Sequence, residues 1–141
     1  MSAVETRPNT GIRIAGYAAL FGTPDGARDV ILPGAFARSL AEQASPLPLF
    51  WQHSPEQQIG WVEKAEEDER GLRVIASITN PSSRAAAMLS QGAVDGLSFG
   101  YRARSFRRTH GGRELAEIDL FEVSLVTHPL QHGARVHHTS G

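Results

Sequence analysis

Asp95-Gly96-Leu97-Ser98-Phe99-Gly100-Tyr101 sets one serine between two glycines, each two residues away, and opens a run that alternates like a strand. With a period of two, Leu97, Phe99, Tyr101 and Ala103 point one way, while Gly96, Ser98, Gly100, Arg102 and Arg104 point the other. One face is therefore core and the opposite one carries Ser98, left uncovered by the glycines beside it. The run continues to about Arg108, turns through Thr109-His110-Gly111-Gly112 and returns from Arg113 to Val126, a long hairpin that brings residues near 122 to 125 alongside Ser98. On the return, Ile118 and Leu120 have one parity and Phe121, Val123 and Leu125 the other, so the alternation requires a bulge at Leu120-Phe121. With that bulge every apolar residue faces inward, and Glu117, Asp119, Glu122 and Ser124 share the face of Ser98.

The rest of the chain supplies a shell for this hairpin. Gly11 to Phe21 reads as a first strand and Arg28 to Leu32 as a short second one. Pro33-Gly34 leads into a helix from about Ala35 to Gln43, closed by Pro46. Leu47 to His53 is apolar and strand-like, and Ser54-Pro55 turns the chain away. Gln58 to Glu67 and Gly71 to Ile78 form a hairpin across the acidic run Glu66 to Glu69, which reads as a solvated loop tip. Asn80-Pro81 starts a second helix over Arg84 to Ser90, stopped by Gly92. The expected fold is mainly β with helices (α+β), a roughly seven-stranded, mostly antiparallel β-barrel flanked by two or more helices. Residues 1–10 read as a flexible N-terminus, 11–136 as a single domain and 137–141 as a frayed tail.

Composition narrows the function. A chain of 141 residues is long enough for a core, and the absence of cysteine removes thiolate catalysis and cysteine zinc sites. A formal net charge of -1 offers no field to draw the protein to nucleic acid or to an anionic membrane. Met1 to Thr10 has no apolar core of a signal peptide and no apolar run is long enough to span a bilayer, so a soluble, unsecreted protein is expected. No glycine-rich phosphate loop is present, no histidine spacing matches a metal motif, and no cofactor or metal is expected.

Gly96 to Gly100 also spells the G-x-S-x-G of the α/β-hydrolase elbow, but that motif turns from strand into helix and needs its acid and histidine after the serine. Here the strand continues and only about forty residues remain. Two readings of Ser98 stay open on the residues alone, a surface serine at a strand bend or a nucleophile. A nucleophilic serine needs a base, an orienting group and an oxyanion hole. His53, at the end of an apolar strand, is the leading base and His128 its rival; His110, His132, His137 and His138 lie in turns or the tail. Glu122 is the leading third member, with Glu117 and Asp119 farther along the same face.

Taken together, Gly16-Tyr17-Ala18 through Phe21, Leu32-Pro33-Gly34-Ala35-Phe36, Leu49-Phe50-Trp51-Gln52-His53 with Ile59-Gly60, Gly96 to Tyr101, and Glu122-Val123-Ser124-Leu125-Val126-Thr127 resemble the prohead maturation proteases of tailed bacteriophages. That family is related in fold to the herpesvirus assemblins, which also place histidine before serine. The resemblance implies a serine endopeptidase that works inside the immature procapsid in the bacterial cytoplasm. Its partner and substrate would be the major capsid protein or scaffold, and it would also cut itself. His53 and Ser98 match the family's base and nucleophile, and the third position falls on or near Glu122. Dimer formation and oxyanion donors from backbone amides in Thr127 to Ala134 are further expectations. Many relatives run on past the position of Gly141, which suggests a truncated, self-processed or compact form. A non-catalytic β-barrel scaffold or capsid-binding module of the same assembly is the alternative, and a generic esterase a third.

Overall fold

The computed structural model describes residues 11–140, in the order β1 (Ile12–Leu20), β2 (Asp29–Ile31), α1 (Ala37–Glu42), β3 (Pro48–Trp51), β4 (Ser54–Glu67), β5 (Gly71–Ile78), α2 (Arg84–Ser90), β6 (Gly96–Thr109), β7 (Gly112–Val126) and β8 (Val136–Ser140). The expected flexible segment over 1–10 lies outside the described residues.

The β6–β7 hairpin forms where the alternation puts it, with Thr109 paired to Gly112 and Gly96 to Val126. Gly100 pairs with Glu122 and Tyr101 with Leu120, so Phe121 is the extra residue of the bulge. The bulge does not bring every apolar side chain inward. Phe121 is 52% exposed, with the Arg102 guanidinium 6.0 Å above its ring. The inward face is the core: Leu97, Leu115, Ile118, Val123 and Leu125 are fully buried. Phe36 sits among them, edge-on to Phe99 with ring centroids 5.4 Å apart.

Eight strands make one sheet in the order β2-β7-β3-β4-β5-β1-β8, with β6 on β7. Because β6 occupies one edge of β7 along its whole length, β2 and β3 must share the other edge, β2 at Arg113 to Leu115 and β3 at Val123 to Leu125. Both of these ladders are parallel, and the other five are antiparallel.

Two expectations about shape give way. The sheet is open and mixed rather than a seven-stranded β-barrel: a single isolated bridge, Gly96 to Arg135, spans from β6 toward the C-terminal segment. Its hydrogen bonds are Leu97 N–H to Ala134 O at 2.9 Å and Val136 N–H to Asp95 O at 2.8 Å, and beyond it the C-terminal segment pairs with β1 instead. Over 137–140 the tail is not frayed, since β8 pairs along β1 from Arg13–Ser140 to Gly16–Val136, while Gly141 lies outside the described residues.

The helices are short: α2 spans the expected Arg84–Ser90, α1 is shorter than the expected Ala35 to Gln43, and the cap of α2 differs from the sequence reading. Ser83, not Asn80, caps α2 by accepting from the Ala86 N–H at 3.2 Å, while Asn80 accepts from Ser82 N–H in the preceding turn at 2.9 Å. The chain entering α1 is held by Glu67, whose carboxylate accepts from Gly34 and Phe36 N–H at 2.9 and 2.8 Å. One residue of the acidic run is thus a structural acceptor rather than part of a solvated tip. Among the described residues no helix is long and apolar enough to cross a membrane.

Candidate active site

His53 does not end a strand whose chain then turns away. Trp51 pairs with Ser54, so β3 and β4 form a hairpin with a two-residue tip, Gln52-His53. Both tip residues are left-handed, at φ 53° and 61°, as the primed hairpin turns demand. Such turns favour Asn-Gly, and a longer side chain there costs of the order of 1 kcal/mol or more per residue. The tip is tied down in return. Gln52 N–H donates to Leu125 O at 3.0 Å, and Gln52 and Thr127 exchange two longer hydrogen bonds of 3.3 Å each. His53 N–H donates to Ser124 Oγ at 3.1 Å. All of these anchors lie at the C-terminal end of β7.

That docking lays the imidazole against Glu122. His53 Nδ1 and Glu122 Oε2 are 2.6 Å apart, and the other carboxylate oxygen accepts from Ser124 Oγ at 2.8 Å. The hydrogen bond to Glu122 and then its charge raise the His53 pKa above the usual imidazole value, against a desolvation that lowers it. With the carboxylate on Nδ1, the neutral ring carries its proton there, and Nε2 is left with the lone pair that can take another.

Ser98 is the register partner of Ser124, and directly opposed residues of an antiparallel pair project from the same face with Cβ atoms about 5 Å apart. The Ser98 side chain therefore emerges on the face that carries Ser124, Glu122 and the docked His53. It is not the uncovered platform expected of an outward face: Ser98 is 6% exposed, Glu122 8% and Ser124 0%. Both faces of the hairpin's open end, far from its turn, are buried.

The glycines have a different reason from the one alternation suggested. A Cβ on Gly100 would lie 2.5 Å from Glu122 Oε2 and 2.9 Å from its Cδ, so the carboxylate occupies the space a side chain would need. A Cβ on Gly96 would meet Val126 O at 2.6 Å and the Pro129 ring at 2.7 Å.

The rival residues are engaged elsewhere. Asp119 accepts from Arg102 and Arg104 at 3.1 Å each and from Arg38 at 3.3 Å, and Glu117 is paired with Arg38. His128 is exposed in the turn after β7. His137 packs edge-on against Tyr17, and His132 lies beside Arg135. Sequence reasoning put Ser124 on the right face without giving it a part, and it passed over Gln52 and Thr127.

Comparison with known proteins gives a consistent answer. A sequence profile described as Caudovirus prohead serine protease matches residues 2–140. The prohead protease of Enterobacteria phage HK97 is 35% identical over 128 residues, 86% of this chain and 57% of that protein. A capsid polyprotein of Pseudomonas phage PAJU2 is 30% identical over 118 residues, 76% of this chain and 17% of that one. The chain thus spans about half the length, or less, of these relatives. Among solved structures, KSHV protease in complex with a hexapeptide phosphonate inhibitor aligns with a TM-score of 0.66 at 18% identity, over 93% of this chain and 65% of that one. The bacteriophage T4 capsid assembly protease aligns with a TM-score of 0.64 at 17% identity, over 82% and 81%. At these identities the structural likeness speaks for the fold.

Proposed function

Because the chain belongs to the Caudovirus prohead serine protease family, we propose that it is a serine endopeptidase that processes capsid or scaffold protein inside an immature phage procapsid. In this reading Ser98 is the nucleophile, His53 the general base, and Glu122 the group that fixes the imidazole tautomer and balances the imidazolium charge. One observation carries it: two residues 69 apart in the chain meet at 2.6 Å, on the face from which Ser98 projects. A surface charge has no need of such a partner.

The steps follow from the arrangement. His53 Nε2 removes the Ser98 hydroxyl proton as Oγ attacks the scissile carbonyl, and the imidazolium formed is held by the Glu122 carboxylate. The same proton goes to the departing amine, leaving an acyl-serine. Water, deprotonated by the neutral imidazole, then attacks the ester carbon, and the proton returns to Ser98 as the peptide acid leaves. We place the oxyanion donors among the backbone amides of Thr127 to Ala134, which follow β7 past Gly96. That loop is anchored by the Gln131 side chain, which bonds Leu20 N–H and O at 2.7 and 2.9 Å and Thr23 O at 3.0 Å. A relative that is itself a capsid polyprotein supports a capsid protein as the substrate. Self-cleavage would use the same chemistry.

The test is co-expression with the cognate capsid protein. The wild type yields a shortened capsid band and Ser98→Ala does not. Identical patterns would favour the alternative, a non-catalytic module of the same assembly.

A further inference from the structure

Ser124 is more deeply buried than any member of the proposed triad, at 0% exposed, and its hydroxyl is used on both sides. A serine hydroxyl has one proton to give and two lone pairs to offer. The proton goes to Glu122 Oε1 at 2.8 Å, and one lone pair takes the His53 N–H at 3.1 Å. Glu122 spends its other oxygen on His53 Nδ1 at 2.6 Å. The result is a closed circuit: Ser124 holds the carboxylate, the carboxylate holds the ring, and Ser124 also holds the backbone from which that ring hangs.

Each bond answers a specific freedom. A glutamate in strand geometry has a broad terminal torsion, and a donor on Oε1 fixes the plane in which Oε2 meets the imidazole. The His53 backbone sits in the left-handed region at φ 61°, a conformation the two-residue turn imposes at some cost and the bond to Ser124 helps to hold. Ser124 supplies both restraints from the register position directly opposite Ser98, so the spacing between hydroxyl and imidazole is set by one strand pair.

We infer that Ser124 is a positioning residue of this site, one that fixes the Glu122 carboxylate and the His53 turn relative to Ser98 without touching substrate. The inference rests on the catalytic reading of Ser98 and His53 given above. An alanine fits the same space, but it leaves Glu122 Oε1 and the His53 N–H without this partner, so some loss of stability accompanies the loss of positioning.

The experiment measures the second-order rate at which a fluorophosphonate probe labels the protein, together with the low-field proton resonance of the His53 Nδ1–H bonded to Glu122. Ser124→Ala is expected to slow labelling roughly 10- to 100-fold, the scale on which an ångström of misplacement acts, and to broaden or remove the resonance. A single cooperative melting transition, at a somewhat lowered temperature, would show that the variant is folded. Labelling within twofold of wild type overturns the inference, and so does slow labelling with the resonance unchanged. Ser124→Cys keeps the side-chain shape at a slightly larger volume with a far weaker donor and is read by the same criteria, so a failure of the alanine variant to fold leaves the test intact. Ser98→Ala separates the two levels: if it still labels, the nucleophile is wrong, while the resonance still decides the part played by Ser124.

Discussion

Gly100→Ala is the change that most directly probes the site, because it adds one methyl group to a position where no atom reacts. The new Cβ would stand 2.5 Å from Glu122 Oε2, about 0.9 Å short of an ordinary contact of 3.4 Å. Something has to move. The backbone of β6 is locked in its ladder with β7, whereas the obstructing atoms are the far end of a glutamate side chain, so the carboxylate yields. A shift of that size, taken from a hydrogen bond of 2.6 Å, lengthens the His53–Glu122 pair to beyond about 3.2 Å or breaks it. Misplacement of about 1 Å in a catalytic array costs on the order of a hundredfold in rate. Folding should barely notice, since alanine in a strand is favoured over glycine by roughly 0.5 to 1 kcal/mol of backbone entropy, offsetting part of the strain. The expected outcome is a fluorophosphonate labelling rate about a hundredfold below wild type with a melting temperature within a few degrees of it. Wild-type labelling by a stably folded Gly100→Ala would refute the geometric reasoning, since the carboxylate would then have somewhere else to act from.

Other consequences can be measured independently. Removing the carboxylate charge by Glu122→Gln should lower the plateau rate by about 10²- to 10⁴-fold. It should also move the acid limb of the pH–rate profile downward, because the Glu122 hydrogen bond and charge raise the His53 pKa above the ordinary imidazole value of 6.5; an unmoved limb would remove Glu122 from the site. Asp29, buried between Arg113 at 2.8 and 2.9 Å and the Tyr101 hydroxyl at 3.2 Å, is held below the usual carboxylate value by the Arg113 bonds first. Its contribution to stability is complete above pH 3.8 and is lost as pH falls through its lowered value, so melting temperatures of wild type and Asp29→Asn should converge in acid; a gap constant with pH would contradict this. Phe36→Ala, which empties a fully buried ring position against Phe99, should cost about 3 to 5 kcal/mol in denaturant unfolding, and a loss under about 1 kcal/mol would mean that the core closes around the gap.

The parts of this fold legible in the sequence are those whose evidence is local. The β6–β7 hairpin is announced by Gly111-Gly112 and by alternation on both arms, and the parity conflict between Leu120 and Phe121 points to a bulge that the register contains. The β4–β5 hairpin and α2 were readable for the same reason. What could not be read was the pairing of short strands with distant ones. Asp29–Ile31 and Pro48–Trp51 are too brief for a periodic signal, and both pair in parallel with residues more than seventy positions later. Ser98 and Glu122 followed from parity, yet their burial did not, because polar residues on one face of a strand read as solvated. The hairpin under His53 was hidden by its own tip: Gln-His is not the pair that such a turn advertises, so the chain looked like a strand running out.

The place of β7 between three other strands has a consequence for the newly made polypeptide. Phe50 and His53 leave the ribosome long before Val123 and Glu122, and the parallel ladder that joins them closes a loop of about seventy residues, for which no local contact can substitute. Until Val126 has cleared the exit tunnel, the imidazole has no carboxylate and the serine no neighbouring strand. The His53–Glu122 pair and the strand beside Ser98 therefore assemble together and late, so the proposed site cannot exist in any partly made chain that lacks β7.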